Sequence, residues 1–316
     1  MQDTPPVRVT EVHRNGLQAR GADIDIRIPH GPDATVGDWL LLNRELPSAS
    51  EVLERKSLIK RRAPGRTVGL QLIAANLDTA FIVTSCNDDF NVARLERFIA
   101  LCFEAEVSPV IVLTKTDKCD APEEYIAKAE AVSSAVPVVA LNAKSDEPRT
   151  KLAEWCKHGQ TVAFLGSSGV GKSTLTNALA EDTAIATQEV REDDARGRHT
   201  TTRRQLYFLP SGCAVLDTPG MRELQLTDAA SGVAEMFPDL DELGTRCKFN
   251  DCSHTVEPGC AVLAAVANND IDATRLARWQ KLVAEEEHNS ATLAERRGKD
   301  KAFGKMVRSA IKKKKR

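Results

Sequence analysis

Residues 166–174 contain the pattern Gly-x-x-x-x-Gly-Lys-Ser, which binds the phosphates of nucleoside triphosphates. The sequence predicts a strand before it, at Thr161–Leu165, and a helix after it, at 175–180. Backbone N–H groups and a helix N-terminus would then surround the phosphates. We expect Lys172 to reach the β- and γ-phosphates and Ser173 to hold Mg²⁺. The predicted phosphate-binding residues are Gly166, Ser167, Ser168, Gly169, Val170, Gly171, Lys172, Ser173 and Thr174.

A second motif, Asp217-Thr218-Pro219-Gly220, follows a predicted strand at 214–216. Its carboxylate could orient the Mg²⁺ shell, and the N–H of Gly220 could meet the γ-phosphate. A four-residue motif of this kind is weak evidence alone. Because it follows the phosphate loop at a suitable distance, we interpret both as parts of one site.

Two further motifs, Thr114-Lys115-Thr116-Asp117 and Asn142-Ala143-Lys144, indicate which base is bound. The Asp117 carboxylate could accept from N1–H and the N2 amino group of guanine, donors that adenine does not offer there. Leaving this acceptor unpaired costs roughly 1–3 kcal/mol, which favours GTP over ATP. Lys115 would lie along the base, and Ala143 would donate its N–H to O6. The common forms are Asn-Lys-x-Asp and Ser-Ala-Lys, so Thr114 and Asn142 leave the outer hydrogen bonds of the pocket open.

The order of these motifs is unusual, because the base motifs precede the phosphate loop. An ordinary GTPase begins with the phosphate loop. The sequence therefore predicts a circular permutation, which a fold tolerates where the original termini lie close together.

Residues 191–204 are charged, lack periodicity and lie between the phosphate loop and Asp217. We interpret them as a switch loop that is ordered when a threonine reaches Mg²⁺ and the γ-phosphate, with Thr201 preferred over Thr200. Met221 stands where many GTPases have a water-orienting glutamine, so His199 is the nearest candidate for that role. The sequence predicts slow intrinsic hydrolysis that rises when a partner orders the loop.

A cluster of three cysteines and a histidine provides the ligand set of a closed, structural Zn²⁺ site. The predicted ligands are Cys247, Cys252, His254 and Cys260. No position remains for a water molecule, so a catalytic zinc is not expected. The other five cysteines lie singly in or beside apolar segments and are expected to be buried thiols: Cys86, Cys102, Cys119, Cys156 and Cys213.

The formal net charge of −2 conceals a basic C-terminal tail. Residues 299–316 carry nine lysines or arginines against one acidic residue. With no lipidation signal and no strong apolar face, the tail favours a nucleic-acid backbone over a membrane. Neither a secretory signal nor a run long enough to span a membrane is recognised, so we expect a cytoplasmic protein.

Four segments are predicted from the positions of these motifs. Residues 1–65 show short alternating strands, such as Ile24, Ile26 and Ile28, and predict a small β-barrel, for which the five-stranded OB type is one option. Residues 70–225 alternate strand and helix and predict a circularly permuted α/β P-loop GTPase domain, which includes a strand at 136–141 and a helix capped by Asn91. Residues 226–290 predict an α-helical zinc-binding domain in which Leu276 and Leu282 share the apolar face of one helix, and 291–316 form the basic tail.

The chain resembles the ribosome small subunit-dependent GTPase A family in motif order and over almost its full length. Further matching stretches are Gly37-Asp38-Trp39, residues 75–78, Phe90-Asn91, Leu95-Glu96-Arg97, residues 199–202 and residues 217–224. The resemblance implies a bacterial cytoplasmic GTPase that acts late in small-subunit maturation and is stimulated by that subunit. It also implies GTP/GDP, Mg²⁺ and one structural Zn²⁺ as cofactors. The implied partners are the small ribosomal subunit and its rRNA; we expect a monomer with no membrane or DNA partner.

Two other functions stay open from the residues alone. One is an NTP-driven factor unrelated to ribosomes, such as a metal- or protein-delivery GTPase, which the basic tail and flanking barrel oppose. The other is a nucleic-acid-binding module without hydrolysis, which intact Lys172, Ser173 and Asp217 oppose. Because the Asp217 motif leads directly into the zinc region, the sequence also predicts that GTP state is coupled to RNA binding or release.

Overall fold

The computed structural model describes residues 4–62, 70–180, 205–217, 226 and 228–291. The chain divides into two compact units. The first comprises Met1–Lys60 and Leu72–Leu224, and the second Arg61–Gln71 and Gln225–Arg316. Each unit has its own secondary structure and is described in turn.

The first unit begins with five short strands in the segment for which a barrel is predicted. They are β1 (Pro6–His13), β2 (Gly16–Gly21), β3 (Ile24–Ile28), β4 (Trp39–Leu41) and β5 (Glu51–Val52). Strands β1, β2 and β3 form an antiparallel meander, while β4 pairs with both β1 and β5. Their shared core consists of Val7, Val9, Leu17, Ala19, Ile28, Leu40 and Leu42. This arrangement agrees with the predicted OB-type barrel, in which short strands wrap around one small core.

The barrel joins the following sheet through β1 and through a buried arginine. Glu11 of β1 pairs with Gln205. The Arg8 Nη2 donates to Thr161 Oγ1 at 2.8 Å and to the Asn76 carbonyl at 3.2 Å. Burial lowers the pKa of Arg8, although Asp78 and Asp38 oppose this change. These bonds satisfy a buried charge that would otherwise be costly.

Six described strands form the central sheet: β8 (Thr79–Ser85), β9 (Ser108–Thr114), β10 (Val138–Ala140), β11 (Thr161–Leu165), β12 (Gln205–Phe208) and β13 (Ala214–Asp217). Their order across the sheet is β10-β9-β8-β11-β13-β12. All neighbours are parallel except β12, which is antiparallel to β13. The base motif follows β9 and the phosphate loop follows β11, so the predicted permuted α/β fold is confirmed.

Four helices of the described residues accompany this sheet: α1 (Val92–Glu104), α2 (Pro122–Glu130), α3 (Glu147–Lys151) and α4 (Lys172–Ala180). The predicted N-cap of α1 is confirmed, because the Asn91 side chain accepts from the Arg94 N–H. This bond satisfies one of the donors left unpaired at a helix start. The predicted strand at 136–141 is shorter in the structure, and α2 and α3 were not predicted.

The second unit contains four described helices. They are α5 (Ala230–Met236), α6 (Pro238–Gly244), α7 (Ala261–Ala267) and α8 (Ala273–Ser290). Leu276 and Leu282 of α8 are buried, as their predicted shared face requires. The Arg275 guanidinium pairs with the Asp239 carboxylate through two nitrogens, at 3.0 and 2.9 Å, which fixes α8 against α6.

The strands β6 (Leu58–Arg62) and β7 (Leu70–Ala75) form a separate two-stranded sheet.

Among the described helices, none combines the length and apolar character that crossing a membrane requires.

Candidate nucleotide site and metal centre

The ends of the parallel strands bring the predicted motifs to one edge of the sheet. Ser85 of β8 is paired with Thr114 of β9, and Leu165 of β11 with Ile82 of β8. On the two flanks, Ala140 is paired with Leu113 and Leu216 with Ala163. Ligands bind at the carboxyl ends of strands in such sheets. The phosphate loop, both base motifs and the backbone of Asp217 all begin at this edge.

Thr114 ties the base motif to the phosphate loop. Its hydroxyl donates to the Val170 carbonyl at 2.6 Å and lies 3.2 Å from the Thr84 carbonyl. The Thr114 side chain is fully buried and lies 3.6 Å from the position of a β-carbon at Gly171. Thr114 thus joins the base motif to the phosphate loop, two segments that are distant in the chain.

Replacing Thr114 with valine should weaken nucleotide binding without disturbing the shape of the core. Valine matches threonine in volume but leaves the Val170 carbonyl without its donor, a loss of about 1–3 kcal/mol. We expect roughly tenfold weaker GDP binding, measured by fluorescent-nucleotide titration. Thr150→Val removes an exposed hydroxyl that donates to the Glu147 carbonyl at 3.1 Å, and it should leave the affinity unchanged. Wild-type affinity in Thr114→Val would contradict the assigned bridge.

Asn142 shapes the second base motif from within. Its Oδ1 accepts from the Lys144 N–H at 2.9 Å, and its own N–H donates to Glu147 Oε2 at 3.1 Å. A hydrogen bond from the Lys151 side chain and the one from the Asn142 N–H lower the pKa of Glu147. The asparagine therefore fixes the backbone turn that carries Ala143, a role its side chain fulfils in place of serine.

Lys115 and Asp117 occupy a tight turn directly after β9. Lys115 is left-handed, with φ 59°, and a 3-10 helix spans Thr116–Lys118. The Asp117 side chain is exposed at the carboxyl edge of the sheet. This turn presents a carboxylate to solvent directly after β9.

The phosphate loop begins with a close backbone contact that requires glycine. A β-carbon at Gly166, where φ is 138°, would lie 2.2 Å from the Val83 carbonyl, so no other residue fits there. Lys172, at the start of α4, donates from Nζ to the Gly166 carbonyl at 2.8 Å and to the Ser167 carbonyl. The ammonium of Lys172 therefore lies against carbonyls of the loop in which the phosphates are expected to bind.

Arg94 also contacts the phosphate loop, which the sequence did not predict. Its Nη1 donates to Ser167 Oγ and to Asp89 Oδ1. The contact joins α1 to a loop 73 positions away in the chain. The sequence offered one local signal for this contact. Arg94 lies in the first turn of α1, and α1 follows β8, which pairs with the strand that leads into the phosphate loop.

Several predicted residues lie outside the described part of the structure. These are Gly220, the whole switch loop at 191–204 with His199, Thr200 and Thr201, and the basic tail from 292 to 316. For Asp217 the backbone is described as the last residue of β13, and the side chain is not. The roles of these residues stay predictions.

The second unit brings the four predicted zinc ligands together. The ligand atoms of Cys247, Cys252, His254 and Cys260 all lie within 4.8 Å of one another. His254 Nδ1 is 3.6 Å from Cys247 Sγ and 3.4 Å from Cys260 Sγ, and these two sulfurs are 3.8 Å apart. Tetrahedral zinc with ordinary bond lengths separates its ligand atoms by roughly 3.5–3.8 Å. The donor set and spacing therefore fit one Zn²⁺ ion.

Neighbouring helices orient these ligands. The His254 carbonyl accepts from Gln280 Nε2 at 2.8 Å, and its ring packs 5.2 Å from the Trp279 ring. Cys260 caps α7 by accepting from the Leu263 N–H. Burial raises the pKa of the Cys252 thiol to about 11, so zinc has to displace protons to bind.

The carboxylate of Glu257 organises the loop between the ligands. Its Oε1 accepts from the hydroxyl and the N–H of Ser253, and its Oε2 from the N–H groups of Thr255 and Val256, at 2.9 and 3.0 Å. These hydrogen bonds hold the pKa of Glu257 well below its usual value, and the bond from the Ser253 hydroxyl has the largest effect on it. An ionised carboxylate thus holds the backbone on both sides of His254.

Glu257→Gln should accelerate zinc release. The amide nitrogen would replace one acceptor oxygen and face two backbone or hydroxyl donors, which opens the loop around His254. Loss of such supporting contacts lowers metal affinity about 10–100-fold, so we expect zinc transfer to a chromogenic chelator to be at least about tenfold faster. The control is Glu242→Gln, which affects an exposed carboxylate paired with Arg246 in the same unit. Equal release rates for both variants would contradict this assignment.

The remaining cysteines agree with the prediction in four of five cases. Cys86, Cys102, Cys156 and Cys213 are buried, whereas Cys119 is partly exposed. Burial raises the pKa of Cys102 to about 12. The expectation was wrong for Cys119 because it follows the 3-10 helix at the sheet edge instead of lying within a strand or helix.

Comparison with known proteins finds one family along the chain. Residues 52–227 match the family model described as RsgA GTPase. A relative from Vibrio parahaemolyticus, "Small ribosomal subunit biogenesis GTPase RsgA 2", is 47% identical and covers 96% of this chain and 86% of its own length. "Small ribosomal subunit biogenesis GTPase RsgA" from Mesorhizobium japonicum is 46% identical, covering 95% and 89%.

Two solved structures are similar in fold. YjeQ from Thermotoga maritima superposes with a TM-score of 0.64 at 26% identity, covering 89% of this chain and 98% of that one. YloQ, described as a circularly permuted GTPase, superposes with a TM-score of 0.59 at 22% identity, covering 92% and 97%. Sequence and fold comparisons thus extend over most of the chain.

Proposed function

This chain belongs to the RsgA GTPase family, and we propose that it hydrolyses GTP as a late maturation factor of the small ribosomal subunit. The names of its relatives support a role in small-subunit biogenesis. The observation that carries the nucleotide chemistry is the bond from Thr114 to Val170, because it joins the base motif to the phosphate loop. Small-subunit rRNA is the proposed partner.

We assign three roles around the phosphates. Lys172 leaves the loop carbonyls and binds the β- and γ-phosphates, while the N–H groups of 166–174 enclose them. Ser173 holds Mg²⁺ through its hydroxyl, and Asp217 orients the shell of that ion. The exposed Asp117 carboxylate selects guanine, with Lys115 beside the base and the Ala143 N–H on O6.

The attacking water is oriented by the segment before β12. Thr201 binds Mg²⁺ and the γ-phosphate, and Gly220 contributes an N–H to the same phosphate. His199 orients the attacking water, a role that many GTPases assign to a glutamine at the position of Met221. Hydrolysis is therefore slow until the small subunit orders this segment.

RNA contacts are assigned to the regions that flank the nucleotide domain. We propose an OB-type RNA-binding barrel at 1–65, the GTPase domain at 70–225, a zinc-binding helical domain at 226–290 and a basic tail at 291–316. One structural Zn²⁺ holds the third region together, and the protein acts as a cytoplasmic monomer. The bound nucleotide changes RNA affinity through the short connection from Gly220 to Cys247.

The test is GTP turnover with and without purified small ribosomal subunits. We expect at least about tenfold stimulation by small subunits and none by large subunits, with Lys172→Ala inactive in both cases. Wild-type turnover that ignores the small subunit would contradict the proposal. Equal affinity of the GDP and nonhydrolysable-GTP forms for the subunit would contradict the coupling alone.

A further inference from the structure

Arg94 makes a forked contact that ends on the phosphate loop. Its Nη1 donates to Asp89 Oδ1 at 3.0 Å and its Nη2 to the Asp89 carbonyl at 3.1 Å. Nη1 also donates to Ser167 Oγ. Because Asp89 holds both terminal nitrogens, the direction of the guanidinium is set independently of Ser167.

A chain of hydrogen bonds supports this fork from the end of β8. Asn87 Oδ1 accepts from Ser85 Oγ at 2.7 Å and from the Asp89 N–H at 3.0 Å. The Arg94 N–H is held by the N-cap Asn91 at 3.0 Å. Strand β8 pairs directly with β11, which leads into the phosphate loop. The guanidinium and the loop it contacts are therefore both held by neighbouring strands of one sheet.

Two cations hold Ser167 by different atoms. Lys172 bonds to its carbonyl, and Arg94 bonds to its hydroxyl. When a nucleotide binds, Lys172 has to turn toward the phosphates. The bond from Arg94 does not depend on the same carbonyl and can persist through that exchange.

We propose that Arg94 is a positioning residue of the nucleotide site, which holds Ser167 and keeps the phosphate loop ready for the phosphates. This inference rests on the proposed function of that loop. Arg94 acts through Ser167 and not on the γ-phosphate, so it should contribute equally to GDP and GTP binding. Removing Arg94 should raise KM with little change in kcat, because the bound substrate and the transition state would lose the same binding energy.

The test compares affinities for fluorescent GDP and a fluorescent nonhydrolysable GTP analogue, together with KM and kcat. Arg94→Ala should bind both nucleotides about tenfold more weakly, as expected for one charge-assisted hydrogen bond. Ser167→Ala should show a similar loss, and the double variant should be no weaker than Arg94→Ala. Arg94→Lys should restore part of the affinity, since an ammonium keeps the charge but not the fork. The control is Arg20→Ala, which removes an exposed arginine 3.0 Å from Asp25, and it should bind like wild type.

Three results would overturn the proposal. The first is an affinity of Arg94→Ala or Ser167→Ala within twofold of wild type. The second is a selective loss of GTP over GDP with a fall in kcat, which would place Arg94 on the γ-phosphate. The third is full additivity in the double variant. If Arg94→Ala does not fold, the result for Ser167→Ala decides, because this variant removes a single oxygen atom. Failure of the proposed function would look different, since the wild-type protein would then bind no guanine nucleotide.

Discussion

Asp117→Asn should lower GDP affinity by at least about 100-fold and create a preference for xanthosine diphosphate. Asparagine offers one acceptor and one donor where aspartate offers two acceptors. Its amide nitrogen would face a guanine donor, whereas xanthine has a carbonyl oxygen at that position. Sites built to read hydrogen bonds discriminate strongly between such analogues. Competition of both diphosphates against a fluorescent nucleotide measures the change.

The matched control for this variant is Asp120→Asn, which alters an exposed aspartate three positions further along the same segment. It should bind GDP like wild type and ignore xanthosine diphosphate. Undiminished GDP binding by Asp117→Asn would show that this carboxylate does not read the base.

Cys260→Ala should remove zinc from the second unit and unfold the region around α6 and α7. Cys260 supplies both a ligand atom and the N-cap of α7, so its loss affects metal and helix together. The binding free energy of structural zinc in small zinc modules is about 10–16 kcal/mol, and it contributes directly to their folding. We expect zinc content to fall from about one ion per chain to none, with loss of helical circular dichroism.

Cys119→Ser provides the control, because Cys119 is a partly exposed thiol in the other unit. It should retain zinc and helix content. A Cys260→Ala protein that still carries one zinc ion per chain would refute the ligand assignment.

The parts of the site that were predicted from sequence are those whose determinants are local. The phosphate loop lies between a strand and a helix that its own neighbours specify, and Thr161–Leu165 has the predicted bounds. Asn91 caps α1 through a residue three positions away. In such cases short-range chemistry decides the structure.

Contacts between distant segments could not be predicted. The Thr114–Val170 bond spans 56 positions and the Arg94–Ser167 contact 73, and both depend on the order of strands in the sheet. The sequence showed that Thr114 departs from the common asparagine but not which carbonyl its hydroxyl would meet. Geometry of the assembled sheet supplies that answer.

The short helices were missed for a different reason. Both α2 and α6 begin with proline and have few buried residues, so neither shows a strong apolar period. In the zinc region the spacing of ligands was informative, yet Glu257 looked like any exposed acidic residue. Its function as an anchor for three N–H groups follows from loop geometry alone.

The most direct test of the account is a crystal structure of the protein with GDP and Mg²⁺. We predict a single nucleotide whose guanine edge contacts the Asp117 carboxylate while its phosphates lie in the loop at 166–173 against Lys172. A guanine bound away from Asp117, or phosphates held outside that loop, would contradict the claim that the reordered motifs build one site.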